Sequence, residues 1–411
     1  MTKLYTGAPY NERATFTNAG QPRTHGFINR PDASVRPMGL PSWLSKVADL
    51  DYLDPTNPFF HVDRALFSLG HYLGASVPMG MFSRRPGCGV TILGDSGGYQ
   101  LLKNPALWRG DATRQWVVTA LEHHTDEAMT LDIPSRGVAA GTPWPTFRAA
   151  LDITVENLKY FDRHRVGKTR YLNVLQGENR SDALAWYREV KWFPAGGWAF
   201  GGKMREDFSH LSDMLVRIAD DGLLTPDQNR IHVLGMADIG SAVALSAIQR
   251  GLRKRLGDDD LLITFDVSSP TLLASQRQAT GFPRVSSSLF SSTNFFPQVV
   301  DRPGYATVPF PIRHTAVGSR MLMGELCVPR PKSIARTDWD GLSEELLIHH
   351  NVEALLFAID AANSIMELHP VDASALAPSW VVNSYQALMN ACQAKDPLAY
   401  LRPAMADLRR M

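Results

Sequence analysis

Six short β-rich runs alternate with helical patterns along this chain, and that alternation constrains the fold more than any other feature. The runs are GVTILGDSG (89–97), AMTLDIP (128–134), RYLNVLQG (170–177), GWAFGG (197–202), RIHVLGM (230–236) and LLITFDV (261–267). Stretches between them, such as DALAWYREVKWF and GSAVALSAIQRGLRKRL, carry the helical period. Strand–helix units recurring roughly every 30–40 residues build a sheet of parallel strands. Six units with room for two more at the ends favour a closed (β/α)8 TIM barrel of the α/β class over an open doubly wound sheet. A length of 411 residues suits such a barrel with insertions.

Residues 1–60, rich in Pro, Gly and Asn, read as an irregular N-terminal extension packed on the barrel. Residues 61–340 read as the barrel itself, and 341–411 as C-terminal helices. The last segment opens with LSEELLIHHNVEALLFAIDAANSIM, a long amphipathic helix expected on the barrel's outside.

Charge excludes an obvious polyanion binder. With 42 basic and 41 acidic residues the net charge is +1, so a nucleic-acid partner has to be met by basic side chains gathered on one face. Cys88, Cys327 and Cys392 are too few and scattered for a disulfide framework, which points to a reducing compartment. The N-terminal MTKLYTGAPYNERATFTNAG has no apolar core of a signal peptide. No apolar stretch approaches the ~20 residues that span a bilayer. The expectation is a cytoplasmic protein with no membrane partner.

Function is expected where the strands end. Asp95, Asp132, Gln176, Gly201–Gly202, Met236 and Asp266 fall at or just after the C-terminal ends of successive strands, which in a barrel converge on one mouth. Two carboxylates there, Asp95 and Asp266, suit retaining glycosyl chemistry: one attacks a sugar carbon and the other moves protons. The glycines after Asp95 let backbone approach a flat ligand. Tyr99 and Met236 offer faces for stacking. Asp132 and Gln176 offer acceptors and donors for the edge of a base. Backbone N–H groups at Gly201 and Gly202 could hold a carbonyl oxygen. A purine-like base on its sugar fits this set better than a polysaccharide.

The motifs DSGGYQ, LDIP, VLQG, AFGG, LGM and FDVSSPT, in this order and at about this spacing, resemble the tRNA-guanine transglycosylase superfamily. The resemblance runs from about residue 89 to 271, with a weaker echo at HHNVEALLFAI. It implies a TIM barrel that exchanges guanine for a 7-deazaguanine base in nucleic acid without breaking the strand, and no cofactor. By resemblance Asp266 is the nucleophile at C1′ and Asp95 the acid/base. Ser96, Asp132, Gln176 and Gly202 match base-recognition positions, and Tyr99 and Met236 the stacking pair. Lys203 stands where members using an aminomethyl-bearing base carry an apolar residue, which favours the neutral 7-cyano-7-deazaguanine.

Two family features are missing. The tRNA-acting members carry three clustered cysteines and a later histidine that hold zinc; here His350–Asn351 has only Cys327 upstream. One thiolate and one imidazole do not complete a tetrahedral site, so no metal is expected. LLASQRQ replaces the arginine-rich stretch after FDxxxPT. Both losses resemble the DNA-acting branch, the DpdA-type enzymes, often phage-encoded, which makes DNA the expected partner, tRNA the alternative, and host cytoplasm the location if this chain is phage-encoded. A homodimer stays open, since the family's zinc region lies near its dimer contact. A non-catalytic partner subunit and a glycoside hydrolase on the same barrel are further readings, disfavoured by the two retained aspartates and by DSGGYQ respectively.

The ordinary alternatives are definite. An isolated Asp-Ser-Gly-Gly is a turn, and aromatics or methionines at strand ends are often core. Basic clusters at 163–170 and 250–255 precede strands and fall on the opposite face. Phosphate contacts are instead expected among Lys103, Arg109, Arg114, Arg136, Arg180, Arg205 and Arg277, which follow strands.

Overall fold

The structure is a computed structural model that describes residues 13–18, 39–77, 89–236, 238–285, 290–295, 304–326, 328–329, 337–338 and 340–411. Its centre is an α/β arrangement. Strands β2 (Arg64–Ser68), β3 (Thr91–Asp95), β4 (Glu127–Met129), β5 (Arg170–Leu175), β6 (Gly197–Phe200), β7 (Arg230–Val233) and β8 (Leu262–Val267) pair in sequence order, all parallel. This seven-stranded sheet curls until its edges nearly meet. In the gap lies β1 (Thr15–Asn18), paired with β8 at four positions and with β2 only at Asn18↔Ala65.

Helices follow the strands in alternation. They are α1 (Gly98–Lys103), α2 (Asp111–His124), α3 (Phe147–His164), α4 (Arg180–Val190), α5 (Phe208–Asp220), α6 (Ile239–Leu256) and α7 (Ser269–Ser275). Their starts are written in the sequence: Thr146, Asn179, Asp207 and Asp238 each accept a backbone N–H of the first turn of the helix they precede. Outward-facing strand residues such as Phe67, Ile92, Tyr171, Phe200, Ile231 and Phe265 pack under these helices in the main core.

The inside of the curled sheet is layered. Leu66, Leu93, Met129, Leu172, Val174 and Ala199 form a separate apolar plug. Below it, at the strand starts, Glu127 lies 3.6 Å from Arg64 and 3.3 Å from Arg230. Above it, at the strand ends, stand the polar residues of the candidate site. A plugged interior leaves only that upper end for chemistry.

Two expectations need correction. Both strands beyond the six come from the N-terminal side, and residues 15–18 belong to the sheet and not to an irregular extension. TFTN escaped notice because it is four residues long and the alternation is carried by Thr15 and Thr17, which are buried without being apolar. The helix α8 (Gly341–Met366) is buried along most of its length, including Glu345, His349, His350, Asn351 and Glu353. It packs against α6, α7 and β9 (Ala279–Val285), so the polar residues of its first half are enclosed as well, and a solvent-facing stripe is confined to its second half, at Phe357, Asp360, Ala361 and Ser364. The helices α9 (Pro370–Leu376) and α10 (Ser379–Ala391) follow it, α10 packing on α6.

Candidate active site

Asp95 is the last residue of β3 and Asp266 the penultimate residue of β8. Asp95 Oδ2 accepts a hydrogen bond from Ser68 Oγ (2.7 Å), at the end of β2, and Oδ1 accepts from Gly97 N–H (3.1 Å). Burial pushes its carboxyl above the ordinary range, and the Asp266 charge pushes the same way; the Ser68 and Gly97 bonds oppose them. Asp266 differs. Its Oδ1 accepts from Gly235 N–H (2.7 Å) and lies 3.2 Å from His232 Nε2, while Oδ2 takes no hydrogen bond from the described residues.

Asp132 and Gln176 follow β4 and β5, and Gln176 Nε2 donates to Asp132 Oδ2 at 2.8 Å. Burial raises the Asp132 carboxyl to about 7; the Gln176 bond lowers it, and the Asp95 charge adds to the rise. Gln176 Oε1 is buried with no partner among the described residues. Three carboxylates thus share one electrostatic environment at the strand ends.

The glycines make room for neighbouring protein. Gly97 sits at φ +92°, and a Cβ there would lie 2.4 Å from Gly70 Cα; at Gly98 it would lie 2.6 Å from Asp132 O. These two let the ends of β2, β3 and β4 close on one another. A Cβ at Gly201 or Gly202 would strike the Gln176 amide, at 2.5 and 2.9 Å. Gly201 N–H donates to Leu175 O (3.0 Å), so of the pair it is Gly202 that is left to meet a carbonyl oxygen.

Other expected site residues fall as follows. Ser96 is buried and its hydroxyl donates to Thr130 O (3.1 Å). Tyr99 is exposed, with Lys103 Nζ 4.6 Å from its ring centroid. Lys203 Nζ lies 3.7 Å from Glu178 Oε2, and Glu178 Oε1 accepts from Ser135 Oγ. Its charge is compensated, which weakens the exclusion of a cationic base expected from Lys203 alone. Met236 is buried in the main core cluster, and Leu234 packs against the apolar plug. The turn at Gly235 (φ +66°) sends the two side chains different ways.

Among the expected phosphate contacts, Arg114 is held by Asp111, Glu156 and Asn157, Arg180 by Asp213, and Arg136 by Glu206. Arg205 donates to the carbonyls of Leu234 and Gly235, bracing the turn beside Asp266. Cys327 lies outside the described residues. His350 does not fit a zinc ligand, because Nδ1 meets Thr315 Oγ1 (2.6 Å) and Nε2 meets Thr280 O (2.9 Å). No helix among the described residues is long and apolar enough to cross a membrane.

Sequence reasoning passed over Ser68, His232 and Glu178. Ser68 closes the run RALFS and His232 lies in RIHVLGM, both two residues from another inward position, so the strand period held the signal. No protein-family model and no curated protein matches this chain.

Proposed function

We propose that this protein is a base-exchange transglycosylase that replaces guanine in DNA with a 7-deazaguanine through a covalent aspartyl-glycosyl intermediate. The carrying observation is the unequal treatment of two carboxylates at one end of the sheet. Asp266 keeps one oxygen fixed by Gly235 and leaves the other without a hydrogen bond from the described residues, as a nucleophile requires. Asp95 is shifted toward protonation by burial, as an acid/base requires.

In this reading Asp266 Oδ2 bonds to C1′ as the bond to guanine breaks, and Asp95 protonates the departing base. The incoming 7-deazaguanine gives its proton to Asp95 and displaces Asp266 from C1′. Asp132 and Gln176 take the edge of the base, and Gln176 Oε1, without a partner among the described residues, supports a ligand donor there. Gly202 holds its carbonyl oxygen, and Tyr99 with Leu234 flank the rings. Strand β1 completes a (β/α)8 TIM barrel, the N-terminal segment and C-terminal helices being additions to it.

DNA is preferred over tRNA on two grounds. His350 is committed to Thr315 and Thr280, and Leu272 and Leu273 stand where the superfamily's tRNA-acting members are arginine-rich. The test is parallel incubation with duplex DNA and with tRNA, each with a radiolabelled 7-deazaguanine. Label entering DNA supports the reading; label entering tRNA alone replaces it with a zinc-free tRNA enzyme; label in neither overturns the activity.

A further inference from the structure

His232 is buried completely inside the sheet, one strand from Asp266. Its Nδ1 lies 2.8 Å from Thr264 Oγ1 and its Nε2 3.2 Å from Asp266 Oδ1. Thr264 stands two residues before Asp266 on β8, directly opposite His232 in the register. The Thr264 hydroxyl is nearer to Nδ1 than to its other acceptor, Ile231 O at 3.3 Å. A hydroxyl donating to Nδ1 leaves the imidazole proton on Nε2, where it points at the carboxylate.

We infer that His232 is a positioning residue that fixes Asp266 Oδ1 and makes the Asp266 carboxylate a better leaving group in the second half of the exchange. The inference rests on the proposed transglycosylase reading. When Oδ2 bonds to C1′, the carboxylate charge disappears and the bonds to Oδ1 from His232 and Gly235 weaken. When the glycosyl ester breaks, the C1′–Oδ2 electron pair returns to Asp266 and both bonds strengthen. A donor that binds the charged product more tightly than the ester lowers the barrier to breakdown. Removing it slows breakdown without slowing formation, so the covalent intermediate accumulates. A residue needed only for packing would not separate the two steps.

The experiment measures both half-reactions at the wild-type site and in two variants. Adduct formation is followed by acid quench after mixing with guanine-containing duplex DNA, and breakdown by adding 7-deazaguanine to the isolated adduct. His232→Leu should slow breakdown by about tenfold to a hundredfold, the worth of a hydrogen bond to a charged group, with formation no slower than in the wild type. His232→Gln, which restores an N–H donor, should recover breakdown to within a few-fold. If His232→Leu does not fold, Thr264→Val, which frees the Nε2 proton to move, should raise the steady-state adduct fraction in the same direction. Equal slowing of both steps, or no change in either, overturns the inference while leaving the reaction itself demonstrated by the wild type. Absence of any adduct in the wild type overturns both.

Discussion

Gln176 Nε2 and Asp132 Oδ2 meet at 2.8 Å, joining the ends of β4 and β5 by a single buried hydrogen bond. That bond does not offset the cost of enclosing the Asp132 carboxyl, which titrates at about 7. Its charge state therefore changes within the range where such a protein would work.

Binding of the incoming base should follow that charge. If the Asp132 carboxylate accepts hydrogen bonds from the base, affinity should fall about tenfold per pH unit once the pH drops below about 7. Stability runs the other way. A carboxyl whose folded pKa is raised stabilises the fold below its unfolded pKa, and that contribution is lost as pH rises through the folded value. Asp132→Asn should accordingly melt higher than the wild type at pH 8, with a smaller gap at pH 5. It should also flatten the pH dependence of base binding measured by calorimetry; an unchanged profile would place the base elsewhere.

Much of the site was legible because function at strand ends leaves a local mark. Asp95, Gln176, Gly201 and Asp266 are polar or glycine residues closing apolar runs, and they stand at or next to the ends of β3, β5, β6 and β8. What escaped depends on neighbours distant in sequence. His232 is one histidine in RIHVLGM until β8 sets Thr264 and Asp266 beside it. Met236 and Leu234 fall in different apolar clusters, one on each side of the left-handed Gly235, which a linear reading of LGM does not separate. The paired glycines announced a close approach without saying to what, and the answer is neighbouring protein: Gly70, Asp132 and Gln176.

The acid sensitivity of the fold should trace to α8. His349 is enclosed by Tyr52, Phe59 and Phe60, and burial pushes it down to about 3, with the neighbouring His350 adding to the shift. A histidine with a depressed folded pKa stabilises the native state above its unfolded value near 6.5 and loses that contribution as pH falls toward 3. Each such group gives a slope of up to about 1.4 kcal/mol per pH unit in that window. Urea unfolding of His349→Leu between pH 7 and 5 should show a shallower loss of stability than the wild type, by about one proton. Parallel curves would remove His349 from the account.

Selection between cationic and neutral bases should depend on Lys203 and Glu178 together. Lys203 alone would repel an aminomethyl base, but Glu178 lies 3.7 Å away and offsets its charge. Glu178→Gln should shift competition several-fold toward 7-cyano-7-deazaguanine, and Lys203→Leu several-fold toward the aminomethyl base. If neither substitution moves the ratio of incorporated bases, the pair does not face the substrate.

The covalent step itself is the most direct point of attack. Wild-type protein incubated with guanine-containing duplex DNA, denatured and run on a gel should show a protein–DNA adduct that dissolves when 7-deazaguanine is added before denaturation. Asp266→Asn should show none. Asp95→Asn should fold normally and slow adduct formation by about 10²–10⁴-fold, the usual contribution of a general acid. An adduct that persists in Asp266→Asn at the wild-type yield would contradict the assignment of the nucleophile, and with it the account of this site.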